Sequence, residues 1–280
     1  MMSMDRPRRL VSFESYDGAF TYTFPRYEHE WASSQDLRVA WERVAGGSYA
    51  YDMQGLLSAP KDPAEETVQF VIAGDSGTAV DQQLNTLRSI LYRAGRGRLW
   101  SQDSAGARYW AWARANNLAD FELRKQNFRY VPVSVSFVRL SDWYGAVEQV
   151  VSATVTTTPA EVIVNNPGPG VVQNATITLK ANGANGYVSP RVDNNTTGEW
   201  FQIARTAANG NHQLRVDTGR YTVDASTDNG ASWTSAYDSF TQGGLSVGFM
   251  RLEAGANTLT ITNTNTPNLT FEIRFYPVYD

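Results

Sequence analysis

ETVQFVIAGDSGTAVDQQLNTLRSILYRAGRGRLWSQDSAGARYWAWAR, residues Glu66 to Arg114, is the stretch whose reading decides the fold. Thr67 to Ile72 reads as a strand, Ala73 to Gly77 as a turn and Thr78 to Ala94 as a helix, with further strands around Trp100 and Trp110. Val80, Leu84, Leu87 and Leu91 recur at the period of an α-helix and share one face. Such a stripe needs a sheet to cover it. Thr78, followed three residues later by Asp81, is placed to cap the first turn, and Gly95 supplies a left-handed stop.

Outward from this stretch the chain reads as β. Leu10 to Phe24 alternates around Tyr16-Asp17-Gly18, a hairpin with an Asp-Gly turn. Asp36 to Val44 and Tyr49 to Ala59 form a second expected pair, and Lys61 to Glu66 reads as an exposed loop. Phe121-Glu122-Leu123 precedes Tyr130 to Leu140, where Val131, Val133, Val135 and Phe137 make one face. Pro132 cannot donate to a ladder, so that strand begins there or lies at an edge.

Composition shifts after Ser141, and the pattern places a domain boundary near residue 148. Beyond it come short segments: Val150 to Thr158, Ala175 to Lys180, Glu199 to Ala204, Gln213 to Val216, Tyr221 to Ala225, Leu245 to Arg251, Thr258 to Asn263 and Leu269 to Val278. Asn-Gly and Asp-Thr-Gly turns separate them, and no helix is read there. That pattern predicts a sandwich or jelly roll.

With 280 residues, 42% hydrophobic and 12% aromatic, the chain is long and apolar enough for two packed cores. It has no cysteine, which excludes disulfides, thiol nucleophiles and thiolate metal sites. Met1 to Val11 is charged and leads into no apolar run of signal or membrane-span length, so synthesis in the cytoplasm is expected. The net charge of −4 is uneven: residues 1–140 hold 17 Lys+Arg against 16 Asp+Glu, which leaves 7 against 12 beyond. Neither part is basic enough for general phosphate-backbone binding.

Several motifs touch on chemistry. Gly74-Asp75-Ser76-Gly77 spells the nucleophile tetrapeptide of chymotrypsin-like proteases, but His29, the one upstream histidine, lacks that family's setting. The segment between His29 and Ser76 is also too short to build two barrels; a strand-to-helix turn is the simpler reading. Ser226 to Trp233 fits the Asp-box pattern, itself a structural hairpin. His29 and His212 have no metal-type neighbours, and Glu65-Glu66 reads as a solvated pair. No catalytic residue, cofactor or metal is expected.

Trp100, Tyr109, Trp110 and Trp112, interleaved with Arg98, Arg108 and Arg114, form the candidate contact surface, since aromatics and arginines concentrate at protein interfaces. Arg93 and Arg96, at the helix end, extend that set. The competing reading is a sheet with buried Trp on one face and solvated Arg on the other. Trp200, Trp233 and Tyr237 are the candidate stacking platform for a glycan.

Two groups of motifs resemble the distal tail proteins of long-tailed phages. Gly55-Leu56-Leu57-Ser58-Ala59-Pro60, the strand to Ile72, Leu84-Asn85-Thr86-Leu87 and Gly97-Arg98-Leu99-Trp100 look like their N-terminal belt domain. Asn166-Pro167-Gly168, Thr197-Gly198-Glu199, Leu214 to Asp217 and Leu252 to Thr260 look like their galectin-like C-terminal domain. The resemblance implies a mainly β chain. Residues 1–148 would be a belt domain built on a β-sandwich with one packed helix, 78–94, and residues 149–280 a galectin-like, jelly-roll β-sandwich.

It implies a non-enzymatic virion protein at the tail tip that forms a ring with copies of itself, commonly six, between the tail tube protein and the tail hub. The candidate contact residues for such a ring and its tail partners, taken from the Arg and Trp pattern above, are Arg93, Arg96, Arg98, Trp100, Arg108 and Trp110. The tape measure and receptor-binding proteins are further implied partners; no membrane is involved, and DNA would only cross the lumen in transit. The galectin His-Asn-Pro-Arg run is absent, since Gln213-Leu214 follows His212. Sugar binding is therefore an alternative function, not one the resemblance carries.

Overall fold

A computed structural model of the chain describes residues 8–25, 30–34, 41–43, 50–52, 64–118, 129–184, 186–244 and 249–279. Expectations on Gly55 to Pro60, His29, Phe121 to Leu123 and most of the second strand pair lie outside these residues. The protein is mainly β and divides into two compact units, Met1–Trp143 and Tyr144–Asp280.

The first unit contains β1 (Arg8–Ser15), β2 (Thr21–Thr23), β3 (Glu30–Ser34), β4 (Trp41–Arg43), β5 (Ala50–Asp52), β6 (Ala64–Ala73), α1 (Gly77–Ala94), β7 (Arg96–Asp103), β8 (Arg108–Leu118) and β9 (Tyr130–Arg139). Its main sheet runs β2-β1-β7-β8-β9-β6-β3, while β4 and β5 pair separately. Alternation decides which face each strand buries. In β9, Val131, Val133, Val135 and Phe137 are buried, and in β6 Val68, Phe70 and Ile72 lie beside them. Pro132 is tolerated because the ladder from β8 reaches only to Val135, leaving Pro132 opposite Val71 of β6 alone among the described residues.

Helix α1 covers that apolar face with Val80, Leu84, Leu87, Leu91 and Ala94. Each large side chain so buried stabilises the fold by about 2 kcal/mol. The cap differs from the sequence expectation. Ser76, not Thr78, is extended at the N-cap, and its Oγ accepts from the Ala79 N–H at 3.2 Å. A Ser two positions earlier serves because Gly74, whose N–H donates to Arg129 O, turns the chain at once after β6. Gly95 ends the helix at φ 55°. Beneath α1, Phe24 lies 5.7 Å from Phe70 and 6.0 Å from Phe137, with Phe13 5.0 Å from Phe137. Burial pushes the Tyr22 phenol beside them up to about 12.

Glu66 also departs from expectation. It is fully buried in β6, not solvated in a loop, and its Oε1 accepts from Arg139 Nε at 2.8 Å. Arg139 donates as well to Ser141 O and lies under Trp143.

The second unit begins within β10 (Trp143–Gly145) and continues with β11 (Gln149–Val155), β12 (Ala160–Asn166), β13 (Thr176–Ala181), β14 (Arg191–Asn194), β15 (Glu199–Ile203), β16 (Gln213–Asp217), β17 (Thr222–Ser226), β18 (Thr234–Ser235), β19 (Phe240–Gly243), β20 (Gly255–Thr262), β21 (Leu269–Phe275) and β22 (Val278–Tyr279). Two antiparallel sheets, β11-β21-β13-β16-β17-β18 and β12-β20-β14-β15-β19, enclose one core, a galectin-like β-sandwich. Leu179, Leu214, Phe271 and Ile273 from the first sheet meet Val192, Phe201, Leu259 and Ile261 from the second. Leu245 to Arg251 is not the expected strand where it is described, at Phe249 to Arg251; β19 takes the sheet edge instead.

Candidate interaction face

Antiparallel register sets the face opposite α1. β7 pairs β1 and β8, so residues directly across point the same way: Glu14, Arg98 and Trp112 in one row, Ser12, Trp100 and Trp110 in the next. Arg96 faces Arg114, and Arg9, Gln102 and Arg108 form the last row. Gly97 lets β1 come this close, because a Cβ there would stand 2.1 Å from Glu14 O.

The arginines stack on the indoles. Arg98 Cζ lies 5.0 Å from the Trp110 ring and 5.6 Å from Trp112, Arg96 4.5 Å from Trp112, and Arg108 4.7 Å from Trp100. Trp110 packs edge-on to Trp112 at 5.3 Å, and the exposed Tyr16 reaches Trp112 at 5.5 Å. Trp100 Nε1 donates to Glu14 at 3.0 Å, and Arg9 donates to Gln102 at 3.0 Å.

Arg96, Arg98, Trp100, Arg108 and Trp110 thus come together on one surface. Arg93 does not join them; it is exposed in the last turn of α1, where it complements the helix dipole. Trp and Arg share this face, contrary to the split between faces that was the competing reading. Tyr109 points to the other side, toward Asp103 at 3.3 Å. Glu14 and Tyr16 were not singled out from the sequence, because only strand pairing brings them here.

In the second unit the glycan candidates are apart. Trp200 is on β15 with Arg191 Cζ 4.0 Å over its ring and Gly243 packed against the indole. Trp233 stands by the other sheet, with Arg215 Cζ 4.1 Å over it. Tyr237, half-exposed, leans on Phe240 at 5.7 Å. No common platform forms from the three.

The Asp-box segment is a closed turn. Ser226 Oγ donates to Asp228 and accepts from Gly230 N–H, and Asp228 accepts from the Ser232 N–H and hydroxyl. These bonds to the carboxylate hold Asp228 down at about 2. Ser76 Oγ is likewise engaged in capping. Among the described residues no group of three or more His, Asp or Glu is arranged to hold a metal. A shallow cavity of about 270 Å³ lies between Tyr187, Arg205, His212 and Ser226.

The C-terminal motifs converge in a buried polar network. Asn166 Nδ2 donates to Gly170 O and Glu253 O, and Asn194 Nδ2 to Arg251 O. Glu199 accepts from the Arg251 N–H, and Asn257 bonds both the N–H and C=O of Glu253. Arg251 Nε sits 3.5 Å from Glu199 and 3.2 Å from Glu253, in ion-pair range without hydrogen-bond geometry.

No protein-family model and no curated protein matches this sequence. Among solved structures the fold is similar to that of the Dit protein (gp 19.1) of phage SPP1, described as a paradigm of the hub adsorption apparatus in phages that infect Gram-positive bacteria. That match has a TM-score of 0.60 at 14% identity and covers 97% of this chain and 99% of that one. Two baseplate structures of phage p2, in its activated conformation with Sr or Ca, match at TM-scores of 0.46 and 0.44 with 9% identity, covering 96% of this chain and 98% of theirs. Over 97% of its length the chain has the fold of this phage distal tail protein.

Proposed function

We propose that the protein is a non-enzymatic subunit of a phage tail tip. Copies of it form a ring, with six as the expected number, that joins the tail tube to the hub and lets the second unit serve as a docking platform. The observation carrying this reading is the likeness over 97% of the chain, which takes in a helix-bearing sheet unit and a β-sandwich in the same order. The residues agree with that role: the serine and aspartate of the catalytic-looking motifs are spent on a helix cap and a turn. Among the described residues, the face of β1, β7 and β8 gathers arginines without ion-pair partners and is built from interface-prone Arg and Trp.

Negative-stain images of the purified protein, alone and with tube and hub proteins, test the reading. An annulus with outlying lobes is expected. A strict monomer in light scattering under all those conditions would overturn it. Glycan stacking at Trp200 and Trp233 draws no support, because a guanidinium already occupies a face of each ring.

A further inference from the structure

We infer that the outer face of β1, β7 and β8 docks a carboxylate-rich protein segment, held by Arg96, Arg98, Arg108 and Arg114 on the tryptophan floor. That segment belongs to a neighbouring tail protein, which rests on the proposed function. The chemistry rests on the arginines alone.

Three observations lead there. First, on these three strands the face carries Arg9, Arg96, Arg98, Arg108 and Arg114 against a single carboxylate, Glu14, and that carboxylate accepts from Trp100 Nε1. Among the described residues none of Arg96, Arg98, Arg108 and Arg114 has an acidic partner, although paired arginines are common in the second unit. Second, Arg96 and Arg114 are direct cross-strand partners. Like charges placed so repel and lower stability, and a bridging carboxylate turns that repulsion into attraction. Third, stacking on indole restrains the guanidinium planes of Arg96, Arg98 and Arg108, and the N–H edge of a stacked guanidinium is the edge that takes a carboxylate in two parallel hydrogen bonds. Holding Arg98 between two indoles also lowers the side-chain entropy lost on binding.

An acidic protein segment fits better than a nucleic acid. Outside this face's five arginines and Glu14, residues 1–140 hold 12 Lys+Arg against 15 Asp+Glu, so beyond the face a long polyanion meets repulsion. A short acidic strand or loop needs only the face itself.

The experiment titrates the full-length protein calorimetrically with an Asp/Glu-rich decapeptide, its Asn/Gln analogue and an oligo(dT) of equal length, at low and moderate salt. Saturable, salt-weakened binding of the acidic peptide alone is expected, at least tenfold weaker in Arg98→Gln/Arg108→Gln and unchanged in Arg220→Gln. Arg114→Glu gives a second readout. It should abolish peptide binding while raising Tm by about one to four degrees, because it pairs with Arg96. A surface with a purely structural role would lose Tm, not gain it.

Absence of binding, binding retained by both face variants, or preference for oligo(dT) would each overturn the inference. Peptide binding by a protein that forms no annulus supports the face and sinks the ring. An annulus from a protein whose face variants bind the peptide as before does the reverse.

Discussion

Glu66 is the most consequential single side chain in the first unit. Its carboxylate sits with no exposure on the apolar face and is matched by Arg139 at 2.8 Å. Truncating Glu66 takes away the buried carboxylate to which Arg139 Nε donates. Glu66→Ala should therefore cost about 3–5 kcal/mol in chemical denaturation, whereas Glu66→Leu with Arg139→Met should fall within about 1 kcal/mol of the native protein. A small effect of the single change would show the pair to be hydrated. Sequence could not reveal this pairing: Glu65-Glu66 looks like a loop dipeptide until β6 is extended to Ala64, and Arg139 lies far along the chain. Asp228 makes a pH-dependent contribution. Its carboxyl is held at about 2, below its ordinary value of 3.8, so the stability it adds is present above about pH 4 and fades as pH falls through 2. Asp228→Asn should flatten the acid limb of a stability profile over that window; an unchanged limb would mean that the turn does not hold the charge.

At the scale of elements, α1 was the most legible feature, since four apolar residues at helical spacing leave little choice of face. Its cap was less so, because Ser76 and Thr78 both carry a hydroxyl at the start of the helix and the choice depends on where β6 ends. Ser76→Ala should cost about 1 kcal/mol. Leu87→Ala, at a fully buried site, should cost about 2–5 kcal/mol. The order matters: if Ser76→Ala proved the more damaging, the helix would be held by its end and not by its stripe. The Arg-Trp face was half legible. Arg96, Arg98 and Trp100 have one parity, as do Arg108, Trp110, Trp112 and Arg114, so a strand reading puts each set on one side. What alternation does not give is register, and register brings Glu14 and Tyr16 to the same surface. In the second unit β14 was missed because Arg191 to Asn194 is short and polar on one side.

For the whole molecule, the compact units meet between Trp143 and Tyr144, where composition places the change near residue 148. Each unit has its own buried aromatic core. We predict that residues 144–280 produced alone unfold cooperatively, followed by tryptophan fluorescence from Trp200 and Trp233. A broad, non-cooperative transition would mean that the sandwich depends on the first unit. The charge split by sequence has a counterpart here: acidic residues of the second unit are largely drawn into ion pairs and turns, such as Asp193, Asp224 and Glu272, while the first unit keeps cations uncommitted on its outer sheet.

The first and last described segments of the second unit lie side by side. Gly145 N–H donates to Pro277 O, and Gln149 lies across from Phe275 on the adjoining ladder. A module whose first and last strands lie side by side can be exchanged for another of like spacing without re-threading its neighbour, so genetic recombination near residue 144 is able to swap one sandwich for a different one.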